Sequence, residues 1–315
     1  MYATILDCTG PSGKGVRSLG NTRNDRVPDG DLIVFDVDGV LVDTRFSYPT
    51  VIRAAIQWGW SRLLGKAADC TGFSMEHFRA SKRHPGFNDD YDIAWVLLTV
   101  AAASARLSGE LRLSRSMPSP DRWESVLEEF PPSGIADHAR SRYGDPVDRN
   151  TLRSICEEMY LGEHFTGKLR RTKVGRGLWH EEKPLLSCHW ADLSLPAAIY
   201  TGRFLPELEL ALARLGWQDF PKERVVTPES GISKPSGEGF ARLCRMTGTR
   251  TPIYFGDTES DRESLRRFGR GAFVAIGNVL QEEACRYDVV SEALLDLGFL
   301  GQRFSGDSVK PGCAR

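Results

Sequence analysis

Two aspartates one residue apart, Asp36 and Asp38, follow an apolar run from Leu32 to Phe35, and Gly39 comes next. A short run of β-branched and aromatic residues predicts a buried strand, which delivers both carboxylates to its C-terminal end. Open α/β sheets bind ligands at that end. Carboxylates this close repel each other and lose solvation, and either a cation between them or a proton on one relieves the cost. Three other places carry complementary groups. Thr201-Gly202-Arg203 follows the apolar run Ala197 to Tyr200, Lys234-Pro235 introduces a helix reaching Met246, and Gly256-Asp257-Thr258-Glu259-Ser260-Asp261 follows another apolar run. Asp36, Asp38, Asp257 and Asp261 with loop oxygens suit a hard cation, Mg²⁺ above all. A lysine, a hydroxyl and backbone N–H groups suit an anion. A divalent cation beside an anion pocket, with a carboxylate aimed between them, is equipment for phosphoryl transfer through an aspartyl-phosphate.

The elements that must position these groups are legible as an alternation. From residue 196 onward, strands are expected at 197–200, 224–227, 252–255, 272–276 and 288–290, with helices between them and Gly216 ending the first helix. This pattern predicts an α/β fold, a Rossmann-like doubly wound parallel sheet with helices on both faces. The strand at 32–36 must join that sheet. Residues 47–165 instead read as helices: 48–64 at helical spacing, a nearly all-apolar helix at 91–107, one starting at Ser119-Pro120-Asp121, and one capped by Asn150. The expected organisation is an N-terminal extension over 1–30, a core made of 31–46 and 190–301, a helical insertion over 47–189, and a tail over 302–315. A short strand at 2–6 is expected in the extension. Gly10 to Gly15 has the wrong glycine spacing for a phosphate loop, and no Ser or Thr follows its lysine.

Composition narrows the function classes. The chain has 315 residues, 41 basic and 42 acidic side chains and a net charge of −1, which gives no reason to expect nucleic acid or a membrane surface as partner. The longest apolar stretch, 93–105, is too short to span a bilayer, and no signal peptide is read at the N-terminus. Seven cysteines without C-x-x-C spacing fit a reducing cytoplasm better than a disulfide framework. Residues 165–183 hold six Lys or Arg and read as a basic surface loop, a hairpin or a substrate-facing anion collar. Asp43 is expected at a loop or helix start.

With these motifs in order, the chain resembles the haloacid dehalogenase-like hydrolase superfamily, in the branch with a helical C1 cap typified by phosphoglycolate phosphatases. Asp36 to Asp43, Thr201-Gly202-Arg203, Lys234-Pro235 and Gly256 to Asp261 match its four motifs. The resemblance implies a Mg²⁺-dependent phosphatase acting on a small soluble phosphomonoester. Asp36 would be the nucleophile and Asp38 the general acid and base. Thr201 and Gly202 would hold phosphoryl oxygens, and Lys234 would neutralise charge. Asp36, the Asp38 carbonyl and Asp257 would bind the metal, with Asp261 ligating it or orienting its water. Asp38 also speaks against dehalogenation, since the family's dehalogenases lack a carboxylate there. A phosphomutase or a retired binding protein is the alternative. Phosphonate hydrolysis would need a cap amine, for which Lys66 and Lys82 are conceivable. The expected cap is about twice the usual length, its segment 84–92 is the candidate specificity element, and a homodimer is possible.

Overall fold

The computed structural model describes residues 28–67 and 69–300. The strand expected at 2–6, the Gly10 to Gly15 segment and the tail lie outside these. The strands are β1 (Leu32–Phe35), β2 (Val42–Asp43), β3 (Lys183–Pro184), β4 (Ala197–Tyr200), β5 (Val225–Val226), β6 (Pro252–Gly256), β7 (Ala272–Ile276) and β8 (Arg286–Tyr287). Six of them form one sheet in the order β5-β4-β1-β6-β7-β8, every neighbouring pair parallel. β1 is central. Its Phe35 is in register with Ile199 on one side and Phe255 on the other. A strand buried on both faces must be apolar throughout, and Leu32 to Phe35 are all fully buried. Ile33 and Phe35 join one apolar cluster and Leu32 and Val34 the other, so the period-2 alternation feeds both faces of the sheet. Burial of a side chain such as Phe35 contributes roughly 2–3 kcal/mol.

The helices are α1 (Tyr48–Trp58), α2 (Met75–Lys82), α3 (Asp90–Ser108), α4 (Leu113–Ser116), α5 (Pro120–Glu128), α6 (Ile135–Tyr143), α7 (Arg149–Leu161), α8 (Leu205–Leu215), α9 (Glu238–Thr247), α10 (Glu259–Phe268) and α11 (Val290–Asp296). The first seven share a third apolar cluster built around α3, which explains why that helix is apolar on all sides. Asp89 caps α3 by accepting from the Tyr91 N–H, and Gly109 ends it in the left-handed conformation. The chain leaves and returns to the sheet side by side: β2 and β3 pair antiparallel as a two-residue ribbon, with Asp43 opposite Lys183. No strand lies between them among the described residues.

Three expectations need correction. The cap of α7 is Asp148, which accepts from the Thr151 N–H at 2.8 Å; Asn150 already lies in the helix. The last strand is Arg286–Tyr287, while Val290 opens α11 with its side chain fully buried. Asp43 lies in β2, where its carboxylate accepts from the Arg45 backbone and guanidinium. The basic segment 165–183 forms no hairpin. It has a single bridge between Gly162 and Arg176 and a 3₁₀ turn at Leu178–Glu181 before β3. Its start is pinned from beneath, where the buried Glu158 carboxylate accepts from the Arg171 and Thr172 N–H groups. The described cysteines, Cys70, Cys156, Cys188, Cys244 and Cys285, are free thiols. No helix among the described residues is long and apolar enough to cross a membrane.

Candidate active site

Three adjacent strands end in the three motif residues. β1 runs into Asp36, β4 into Thr201 and β6 into Asp257, and β1 sits between the other two. Strand pairing therefore does the positioning: the Asp36 N–H donates to Phe255 O, and the Thr201 N–H to Val226 O. Lys234 arrives from the segment after β5 with its side chain 1% exposed. Its ammonium lies 2.8 Å from Asp36 Oδ1 and 2.5 Å from Asp261 Oδ1. Asp261 is the third residue of α10, and both its oxygens are fully engaged. Oδ1 accepts from Lys234 and from the Tyr254 hydroxyl at 2.6 Å; Oδ2 accepts from the Thr258 hydroxyl and the Asp257 and Thr258 N–H groups. Asp261 thus fixes the lysine and the loop that presents Asp257.

The electrostatics follow from burial. Burial pushes the Asp36 carboxyl up to about 7 against the pull of Lys234, with Asp261 and Asp38 adding to the rise. Burial also works against the Lys234 ammonium, but Asp261 and Asp36 outweigh it and hold the amine well above its usual range. Asp261 is desolvated too, yet Lys234, Thr258 and Tyr254 keep its carboxyl below the ordinary value. Asp257 has no such help. Burial first, then Asp261 and Asp36, drives its carboxyl well above the ordinary value, and its buried Oδ1 has no partner among the described residues.

That orphaned oxygen tests the site for a metal. One oxygen each from Asp36, Asp257 and Asp261 lie within 4.8 Å of one another. An uncompensated buried carboxylate beside two more costs several kcal/mol, which a hard divalent cation offsets. Gly39 makes the space. It adopts φ 72°, and a Cβ there would sit 2.3 Å from Asp257 Oδ2. The donor set is all oxygen and acidic, and fits Mg²⁺.

Asp38 points its chemistry elsewhere. Its Oδ1 lies 2.6 Å from Arg203 Nη2 and accepts from Arg203 Nε at 2.8 Å, so that oxygen is committed to an arginine and not to the acidic cluster. Thr201 is 2% exposed, and its hydroxyl accepts from the Arg203 N–H. Gly202 lies beneath Asn88, whose Nδ2 would be 2.7 Å from a Cβ at position 202. A small cavity joins the two halves of the site, lined by Asp36, Asp38 and Asp257 from the sheet side and by Phe78, Lys82, Asn88 and Asp90 from the helices. Within segment 84–92, Asp89 caps α3 while Asn88 and Asp90 face the cavity. Beside it, an open cleft of about 440 Å³ runs past Lys234, Gly202 and Asn88 to Phe204, Arg149 and Arg153. Lys82 is buried in an ion pair with Asp90 at 2.8 Å. Its desolvation is outweighed by Asp90, which keeps the amine charged. Lys66 stacks over Trp60 and does not line the cavity.

Sequence reasoning found the residues at strand ends and missed those that hold them. Glu182, Tyr160 and Glu207 were not singled out, and Arg203 only as a motif letter. Glu182 had one signal, as half of an acidic pair within a basic run.

No family model and no curated protein sequence matches the chain. Solved structures do. Phosphatase Tt82 from Thermococcus thioreducens is 28% identical over 79% of this chain and 94% of its own, with a TM-score of 0.55. At lower identity, CbbY from Rhodobacter sphaeroides in complex with phosphate is 16% identical over 84% of this chain and 96% of that one, with a TM-score of 0.43. A HAD family hydrolase from Deinococcus radiodurans R1, with bound phosphate and sodium, is 15% identical over 86% and 97%, with a TM-score of 0.39. Likeness along nearly the whole of the Thermococcus protein, joined to four motifs that the fold brings to one end of the sheet, agrees with the resemblance of this chain to the haloacid dehalogenase-like hydrolase superfamily.

Proposed function

We infer that this protein is a Mg²⁺-dependent phosphatase that hydrolyses a small phosphomonoester through an aspartyl-phosphate on Asp36. The observation that carries the reading is the division of labour between the two carboxylates of one loop. Asp36 faces Lys234 and the acidic cluster; Asp38, two residues on, is turned to Arg203. This division suits Asp36 to act as nucleophile beside a phosphate-binding cation and Asp38 to carry the proton. The Thermococcus relative is named a phosphatase, which agrees.

Binding comes first. Thr201, the Gly202 backbone and the Lys234 ammonium supply donors for phosphoryl oxygens, and Asn88 lies directly over Gly202. An Asp36 oxygen then forms a bond to phosphorus as the ester P–O bond breaks, and Asp38 gives its proton to the departing oxygen. In the second half, Asp38 takes a proton from water as that water attacks phosphorus. The Asp36–phosphorus bond breaks and inorganic phosphate leaves. Asp36, Asp257 and the Asp38 carbonyl, with Asp261 behind them, would hold Mg²⁺, which would supply charge neutralisation for the transferring group. Residues 44–182, between the ribbon strands, act as the cap: their Phe78, Lys82, Asn88 and Asp90 close the cavity and limit water. A charged Lys82 paired to Asp90 is unsuited to Schiff-base chemistry on a phosphonate. The free thiols suit a reducing cytoplasm.

The test is phosphate release from a panel of phosphomonoesters with and without Mg²⁺, with Asp36→Asn as control. Metal-dependent turnover that falls by on the order of 10⁴-fold or more in Asp36→Asn supports the mechanism. Turnover retained in that variant overturns it.

A further inference from the structure

Arg203 has a side chain with no solvent exposure. A buried guanidinium is tolerated only when its donors are paired, and it has five. All three nitrogens are engaged. Nε donates to Asp38 Oδ1, which also lies 2.6 Å from Nη2 as an ion pair; Nη2 donates to Glu182 Oε2 at 3.0 Å; Nη1 donates to the Tyr160 hydroxyl at 2.7 Å and to the Glu207 carbonyl at 3.3 Å. The guanidinium is turned to these partners, although Arg203 follows the phosphate-binding Gly202. Its effect must pass through what it holds.

What it holds spans the crossing between sheet and helices. Glu182 immediately precedes β3 on the returning chain. Its Oε1 accepts from Ser47 Oγ at 2.8 Å, just before α1 on the outgoing chain, and from the Tyr160 hydroxyl at 2.9 Å in α7. Tyr48 and Tyr160 also lie over the guanidinium at 5.5 and 5.9 Å. Glu182 is 1% exposed on its side chain, so water does not substitute for these bonds.

We propose that Arg203 is a positioning residue for Asp38, and that Glu182 relays the position of the helical segment to it. This rests on the phosphatase reading above. With Glu182 and Tyr160 in place, Arg203 fixes Asp38 through Oδ1, and the proton for the leaving oxygen is carried on Oδ2. Movement of the helices away from the sheet removes two of the partners that hold the guanidinium, and Asp38 loses its orientation.

The readout is dependence on the leaving group. 4-Nitrophenyl phosphate leaves with little need of a proton; phenyl phosphate has nearly the same shape and needs one more. Single-turnover rate constants are measured for both with wild type, Arg203→Met and Glu182→Gln in Mg²⁺. The expected result is a wider nitrophenyl-to-phenyl ratio, by on the order of tenfold or more in Arg203→Met, within the range that general acid catalysis supplies, and in the same direction but less in Glu182→Gln. If Arg203→Met does not fold, the double variant Arg203→Met/Glu182→Gln, which leaves no unpaired carboxylate at 182, takes its place with the same expectation. An equal fall on both substrates makes Arg203 merely structural and overturns the proposal. A wild-type ratio in Glu182→Gln overturns the relay. Absence of turnover by the wild-type protein counts instead against the phosphatase reading itself.

Discussion

Glu207 offers a stability measurement independent of catalysis. Its carboxyl is buried between α8 and the helical segment, accepting from the Tyr91 hydroxyl at 2.6 Å, the Tyr48 hydroxyl at 3.4 Å and the Phe204 N–H. Burial pushes it from the ordinary 4.5 up to about 7, with Tyr91 and Arg203 pulling the other way. The unfolded chain releases this proton near the ordinary value, while the folded chain keeps it until about 7. Between those limits the folded state binds more protons, so stability falls as pH rises. The contribution is complete below the unfolded value and gone above the folded one. Each pH unit in the window is worth about 1.4 kcal/mol, and the full swing about 3 kcal/mol. Glu207→Gln keeps the shape and one acceptor but cannot titrate. Asp36 and Asp90 are also raised, to about 7 and about 6, so the wild-type slope is a sum and the difference between the two proteins isolates Glu207. Urea unfolding followed by tryptophan fluorescence suits the experiment, since Trp60, Trp95, Trp123 and Trp217 are wholly buried. From pH 5 to 7.5 the wild type should lose about 2 kcal/mol more than the variant. Parallel curves would refute the assignment of a buried proton to Glu207.

Two further substitutions probe the site's buried charges. Asp257→Asn removes a desolvated carboxylate with an unpartnered oxygen, and should raise metal-free stability by about 1–3 kcal/mol in EDTA; Mg²⁺ should then shift the unfolding midpoint of wild type and not of the variant. Lys82→Met strands Asp90 and should cost about 3–5 kcal/mol, most of it recovered in Lys82→Met/Asp90→Leu, as read by the same urea titrations.

The reach of the sequence can be stated residue by residue. Asp36, Thr201 and Asp257 were legible because each directly follows its own apolar strand, and parallel strands align their ends whatever the rest of the chain does. The helices at 48–63 and 90–108 were legible from periodicity. Arg203 with Asp38, 165 residues apart, or Tyr91 with Glu207, 116 apart, leave no local trace; only the folded chain brings them together. Asp148 and Asn150 are both good caps two residues apart, and the turn geometry chose between them. The edge strand Arg286–Tyr287 lacks an apolar run, so the eye moves to Val289 and Val290, which belong to the next helix. Lys82 looks like any surface lysine until Asp90 is found beside it.

The ribbon of β2 and β3 has a consequence for how such a chain can change. Outgoing and returning strands sit side by side, with Val42 opposite Pro184 and Asp43 opposite Lys183. To the sheet, everything between them is a detour that begins and ends at one place. A two-residue turn would close the same ribbon as an ordinary hairpin, and a longer excursion would close it equally well. Segments of any size can therefore be exchanged at this junction, as tool heads are on one handle, without moving Asp36 or Asp257. The exception is the joint itself, where Ser47 and Glu182 meet: a replacement that fits the sheet but brings no partner for Arg203 inherits the chemistry without its alignment.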